Sequence, residues 1–191
     1  MINRTNTKSR IEMAALGLFV DHGIIETTTK QIAQAVGLSD GALYRHFKSK
    51  DEIAQGLFER QHAALANAIN AAQASYDHID DKARAITEAY CVSADDDWTL
   101  FRYHQLNQQR FLAHFGDDVL NPVDVVRDVI DRAMAKGEIG RGDPDLLAAM
   151  ALGVVLQAVT FKVFGRITAP LCDLKAVLSK GVIAVLHSND E

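Results

Sequence analysis

The stretch that most constrains this 191-residue chain is TTTKQIAQAVGLSDGALYRHFKSKDEI, residues 27–53. Thr28-x-x-Gln31 has the form of a capping box, in which a hydroxyl and an amide side chain satisfy the N–H groups that a helix start leaves unpaired. Ile32, Ala33 and Val36 follow at helical spacing, and the helix ends before Gly37. Gly37 accepts the positive φ of a sharp turn. Ala33, four residues earlier, is small enough for the next helix to cross closely. Ser39 is placed to cap that helix, which reaches only to about His46. Leu43 and Phe47 point inward from it, leaving Asp40, Gly41, Ala42, Tyr44, Arg45 and His46 outside. Ser49-x-x-Glu52 then caps a further helix. Two short capped helices joined by a tight glycine turn read as a helix-turn-helix.

The spacing predicts a preceding helix over residues 8–21, with Ile11, Ala14, Ala15, Leu18 and Phe19 on one face and Gly23 as its breaker. Charge is uneven along the chain. Residues 1–50 hold seven Lys/Arg and four Asp/Glu, a net of +3, while the remainder holds 13 basic and 21 acidic residues, a net of −8. A basic head on an acidic body implies that only the head meets an anionic partner. In a helix-turn-helix the second helix enters a DNA major groove. The DNA-contact set is therefore Thr28, Lys30, Ser39, Asp40, Gly41, Ala42, Tyr44, Arg45, His46, Lys48 and Lys50. Arg45 and His46 reach phosphate or base edges, and Tyr44 offers its hydroxyl to phosphate. Lys48, Lys50 and the helix start beside them form one anion site, and Thr28 with Lys30 a second. Asp40 disfavours nearby phosphate and suits a cytosine amino group. Arg4, Lys8 and Arg10 suit a flexible arm along the duplex. The same geometry also occurs in proteins that never touch DNA, and there Tyr44 and Phe47 serve the core.

From Lys8 to about Gln61 the chain resembles the TetR family of bacterial transcriptional regulators. The resemblance rests on Thr27, Thr28, Ile32, Ala33, Gly37, Ser39, Leu43, Tyr44, His46, Phe47, Ser49 and Lys50 in that order. Asp40 and Ala42 depart mildly from the family pattern, which bears on the operator read. The resemblance implies an inducer pocket in the body and a four-helix dimer interface. A two-fold dimer would place two heads about one DNA turn apart, ~34–36 Å, on a palindromic operator.

Hydrophobic residues make up 48% of the chain, with only 12 Gly and 3 Pro, which favours an all-α fold over a turn-rich β fold. The expected layout is a three-helix DNA-binding domain over 1–50 and a helical ligand-binding and dimerisation domain over 51–191. A long helix spans about Lys50–Ala74, with Ile53, Leu57, Ala64, Ala68 and Ala72 in one stripe. Another covers about Asp81–Ser93. The helix expected over Asp97–Phe115 carries Trp98, Phe101, Phe111 and Phe115 on a face with His104 and Gln108, with Gln105 beside it. An apolar face interrupted by hydrogen-bonding groups suits a small-molecule pocket (Trp98, Phe101, His104, Gln105, Gln108, Phe111); a packed core with satisfied polar groups gives the same pattern. A helix over 123–136 points Val125, Val126, Val129, Ile130 and Ala133 inward. The apolar run LLAAMALGVVLQAVTF, 146–161, falls short of the ~20 residues that span a bilayer and contains Gln157, so it reads as a buried helix. With the last helix, about Leu171–His187, it supplies a dimer interface of Val155, Val159, Val163, Leu178, Val182 and Val185.

Cys91 and Cys172 lack metal-ligand spacing and read as buried free thiols of a reducing cytoplasm. No signal-peptide core follows the polar N-terminus. Asp95, Asp96 and Asp97 stand without a neighbouring His or Cys, so capping at a helix start outweighs a metal site. No cofactor, metal or membrane contact is expected. With no nucleophile–base spacing and no phosphate-binding glycine loop, an enzyme is not expected either. The leading function is a dimeric repressor that leaves its operator when a small-molecule inducer binds. The alternative is an architectural or constitutive DNA-binding regulator without a sensor. Inducer, operator bases and the sign of regulation are not encoded legibly.

Overall fold

The computed structural model describes residues 4–112 and 120–189. Regular structure among these residues is entirely helical: α1 (Arg4–His22), α2 (Thr29–Ala35), α3 (Asp40–Leu43), α4 (Lys50–Gln73), α5 (Ile79–Asp96), α6 (Trp98–Leu106), α7 (Gln108–Phe111), α8 (Pro122–Lys136), α9 (Pro144–Val163) and α10 (Leu171–Leu186). The chain divides into two compact units, Met1–Gln61 with Thr99–Phe115, and His62–Trp98 with Gly116–Glu191. The units part at Gln61 within α4 and again after Trp98, whereas the expected domain boundary lies at residue 50, inside the first unit. The helix expected over Asp97–Phe115 is two helices, α6 and α7, separated at Asn107. Phe115 lies outside the described residues.

The first unit is built on α1–α3. Ile11, Ala15, Leu16 and Phe19 line the buried face of α1 and pack with Ile32, Ala33, Val36, Leu43 and Phe47. From α4 come Ile53, Ala54, Leu57 and Phe58, and from α6 Tyr103. The Tyr103 hydroxyl is satisfied inside this core by donating to the Ala54 carbonyl at 2.8 Å. Burial pushes its pKa well above the usual tyrosine range. The Phe58 ring lies 4.6 Å from the His104 ring and 5.0 Å from Phe111.

The second unit packs α10 against α5 and α9, with α8 against α9 and α5. Val125, Val126, Val129, Ile130 and Ala133 of α8 all face its interior, as their spacing predicts. Two helix starts are capped from a distance. The Glu138 carboxylate accepts the Ile79 N–H at the start of α5, at 2.7 Å. The Asp95 carboxylate accepts the N–H groups of Leu171 and Cys172 at the start of α10, at 3.0 and 2.8 Å. Asp95 thus caps a helix other than the one that follows it in sequence, because α10 begins after Pro170 with no side-chain cap of its own. Cys91 is buried and Cys172 half-buried. Burial pushes the Cys91 thiol up to about 12.

α9 is 20 residues long and, by length and composition alone, apolar enough to cross a membrane. Here it packs between α8 and α10, with Leu147, Ala148, Ala151, Leu152, Val155 and Val159 buried. Along the expected stripe of α4, Ile53 and Leu57 are buried, Ala64 and Ala68 exposed and Ala72 half-buried. Ala64, Ala68 and Ala72 line an open groove with α5, about 630 Å³ in volume.

Candidate nucleic-acid interface

The α2–turn–α3 segment is held by its own caps. Thr28 Oγ1 accepts the Gln31 N–H at 3.2 Å, and Gln31 Oε1 accepts the Thr28 N–H at 2.8 Å, completing the capping box. At the other end Gly37 adopts φ +71°, and the Leu38 N–H returns to the Ala33 carbonyl at 2.9 Å. Ser39 Oγ accepts the Ala42 N–H at 3.3 Å and starts α3. α3 ends at Leu43, one turn short of the expected His46, and residues 44–46 continue as a turn.

This framework leaves one face bare. Lys30, Asp40, Gly41, Arg45 and Lys48 are exposed. The side chains of Lys30, Asp40, Arg45 and Lys48 have no partner among the described residues. A Cβ added to Gly41 would meet no atom of the described residues within 4 Å, so the α3 start is open at this position. Tyr44 is 52% exposed, and its hydroxyl lies 3.4 Å from Thr29 Oγ1. His46 is half-buried. Ala42 differs from expectation: it is buried, as is Leu43 beside it.

Two expectations about cations are also corrected. Lys8 and Arg10 belong to α1 and form no flexible arm. The Lys8 ammonium sits 5.0 Å from the Phe47 ring centre, and Arg10 donates to the Val36 carbonyl at 3.0 Å. Arg4 opens the same helix. Lys50 does not join Lys48 on the surface. Its Nζ donates to the Ile25 and Thr27 carbonyls at 2.8 and 2.7 Å. In the Ser49-x-x-Glu52 cap, the Glu52 N–H donates to Ser49 Oγ at 3.1 Å, while the Glu52 carboxylate accepts the Lys48 N–H.

Residues 12–57 match the profile of the family described as "Bacterial regulatory proteins, tetR family", and this match spans the second half of α1, α2, the turn, α3 and the first turns of α4. Over these residues the chain is similar to the DNA-binding domain of the TetR family. The nucleoid occlusion factor SlmA of Haemophilus ducreyi is 43% identical over 53 residues, covering 28% of this chain and 26% of that protein. The HTH-type transcriptional regulator SrpR of Pseudomonas putida is 46% identical over 57 residues, covering 29% and 27%. The chain thus spans about a quarter of the length of these curated relatives. Over the whole chain the fold is similar to the fatty acid degradation regulator FadR of Bacillus halodurans, with a TM-score of 0.78, 19% identity and 94% of each chain covered. It is also similar to FadR of Bacillus subtilis in complex with stearoyl-CoA, with a TM-score of 0.74, 19% identity and 94% and 99% covered.

Beyond the TetR-type domain, the expected body sites are rearranged. Of the anticipated pocket residues, Phe101 and His104 are packed in the interior at 0% and 2% exposure. His104 and Phe111 lie against Phe58. Gln105 accepts a hydrogen bond from Gln108 at 3.0 Å. Trp98 belongs to the second unit, where the Lys162 ammonium lies 5.4 Å from its ring centre. A cavity of about 30 Å³ lies instead inside the second unit, lined mainly by Ile86, Val126, Ile130, Leu152 and Val155, with Thr87 and Tyr90 as polar groups. Its residues come from α5, α8, α9 and α10. Within one helix, no spacing rule could have revealed it.

The anticipated dimer residues are corrected too. Val155, Val159, Leu178 and Val182 are buried within the protomer, leaving only Val163 and Val185 partly exposed. Because α9 is apolar all round, periodicity could not say which stripe faces its own chain. The bare stripe of α9 is Leu146, Met150, Gly153, Gln157 and Phe161, and on α10 Val177 is 64% exposed. Among the described residues, no group of three or more His, Cys, Asp or Glu side chains is placed to hold a metal ion.

Proposed function

We propose that this protein is a dimeric, sequence-specific DNA-binding transcriptional regulator that leaves a palindromic operator when a small molecule binds its body. The observation that carries this reading is the bare face of α2–α3. There, free Asp40, Arg45, Lys30 and Lys48 stand on a rigidly capped frame with open space before Gly41. A helix-turn-helix reads bases from the first residues of its second helix and takes phosphates from flanking cations. Arg45 suits guanine O6/N7, Asp40 a cytosine amino group, and Tyr44, Lys30 and Lys48 the backbone. Such work belongs in the cytoplasm.

Two copies join through the exposed apolar stripe of α9 and the adjoining face of α10. Leu146, Met150 and Phe161 are 59%, 44% and 41% exposed, which is an apolar area that a second copy would cover. The inducer is a largely apolar molecule. Its seat is the cavity among α5, α8, α9 and α10, where Thr87 and Tyr90 offer the polar contacts. At about 30 Å³ that cavity must widen to admit a ligand, and α5 and α8–α10 move apart as it does. A widened state that DNA binding disfavours gives reciprocal coupling, each ligand weakening the other by one factor. The stearoyl-CoA held by the Bacillus subtilis neighbour makes fatty acids and their acyl-CoA esters the first compounds to try.

The test is operator affinity with and without long-chain acyl-CoA, together with stoichiometry on a palindromic duplex. Two protomers per duplex and weakened binding with ligand are expected. Equal inducer affinity for free and DNA-bound protein would sink the release mechanism, leaving a constitutive regulator.

A further inference from the structure

Lys50 opens α4, and its ammonium is turned back into the protein. It donates to two carbonyls, Ile25 at 2.8 Å and Thr27 at 2.7 Å, both in the loop between α1 and α2. That loop is pinned from its other side by Thr27. Thr27 is 1% exposed, and its hydroxyl lies 2.7 Å from the Gly23 carbonyl and 3.3 Å from that of Leu18. The next residue, Thr28, caps α2. The one after it, Thr29, meets the Tyr44 hydroxyl at the end of α3. Hydrogen bonds therefore tie the first turn of α4 to the loop carbonyls, and the backbone carries the loop on into the α2 cap and Thr29, whose Oγ1 lies 3.4 Å from the Tyr44 hydroxyl.

An ammonium has three donors, and two are already spent on carbonyls. Bonds from a charged donor are stronger than neutral ones. A phosphate would gain from Lys50 only its remaining donor, whereas Lys30 and Lys48 offer exposed ammonium groups without a partner among the described residues. We propose that Lys50 is a positioning residue: it clamps the first turn of α4 to the start of α2, and so sets where Thr28, Thr29 and Tyr44 stand. Any movement of α4 then reaches those residues through the clamped loop as well as through the core. The consequence for DNA rests on the regulator reading; the clamp itself does not.

Hydrogen exchange of the free protein tests the clamp. In Lys50→Met, amides of residues 25–32 should exchange at least about tenfold faster than in the wild type, while those of residues 11–19 stay unchanged. Lys50→Arg, which keeps charged donors, should recover part of the protection. Should Lys50→Met not fold, Lys50→Gln carries the same comparison. A salt titration on duplex DNA separates clamp from phosphate contact. Losing one phosphate contact lowers the slope of log K against log salt by about 0.9. Lys48→Met should show that loss. Lys50→Met should weaken binding about tenfold at fixed salt and keep the wild-type slope. Unchanged exchange over residues 25–32, or a slope lowered by about 0.9 in Lys50→Met, overturns the proposal. If the wild type binds no duplex at all, the regulator reading fails and the exchange result alone decides the clamp.

Discussion

Arg45 and Asp40 stand on the same short helix and its following turn, yet their chemistry is opposite. The guanidinium only donates and the carboxylate only accepts. Each should set the base at one position of a half-site. Arg45→Ala should lose about 1–3 kcal/mol and relax the preference for guanine at its position, with other positions unchanged. Asp40→Ala should relax a cytosine preference while strengthening binding to mismatched duplexes, since it removes a negative charge near phosphate. Selection of duplexes by each variant reads both effects, and an unaltered base preference in either would remove that residue from the reading face. At this scale much was legible in the sequence. The Thr28–Gln31 box, Gly37 and the Ser39 cap are local chemistry, and local chemistry is written in adjacent residues. Lys50 and Ala42 sit otherwise than the spacing suggests: the carbonyls of Ile25 and Thr27 hold the Lys50 ammonium, and Ala42 is buried. Those partners are separated in sequence, and no spacing rule reports them.

Among the elements, α10 depends on a cap supplied by α5. Burial alone would raise the Asp95 pKa, but the N–H groups of Cys172 and Leu171 outweigh it and hold the carboxyl below its ordinary 3.8. A carboxylate lowered in the folded state stabilises the fold above its unfolded pKa. That contribution fades as pH falls through the lower, folded value. Asp95→Ala should therefore cost about 1–2 kcal/mol at pH 7 in denaturant unfolding. The gap between variant and wild type should close as pH drops below about 3.8. A gap independent of pH would mean that packing at α10, not the charged cap, sets the loss. The acidic run 95–97 showed in the sequence as a capping signal, but its helix did not, because the capped end lies 76 residues away. Helix existence was readable almost throughout, as in α8, whose polar and apolar faces are cleanly separated. Facing failed on α9, which has no polar face to orient it.

For the whole molecule, the proposed pairing rests on the stripe that α9 leaves bare. The stripe Leu146, Met150, Gly153, Gln157 and Phe161 is exposed in the protomer, so a charge placed there should leave the fold intact and break the pairing. Met150→Glu should sediment as a monomer with a melting temperature close to that of the isolated wild-type protomer. It should bind a palindrome at least about a hundredfold more weakly, because linked heads gain effective concentration on the second half-site. Dimeric Met150→Glu would place the interface elsewhere.

The central claim is that the bare α2–α3 face reads a DNA sequence, and binding to a randomised duplex library, followed by a salt titration on the selected duplex, tests it most directly. The account predicts a recovered palindrome with half-sites about one helical turn apart and a steep salt slope. Salt-sensitive binding that selects no sequence, or no binding by the wild-type protein, would contradict it.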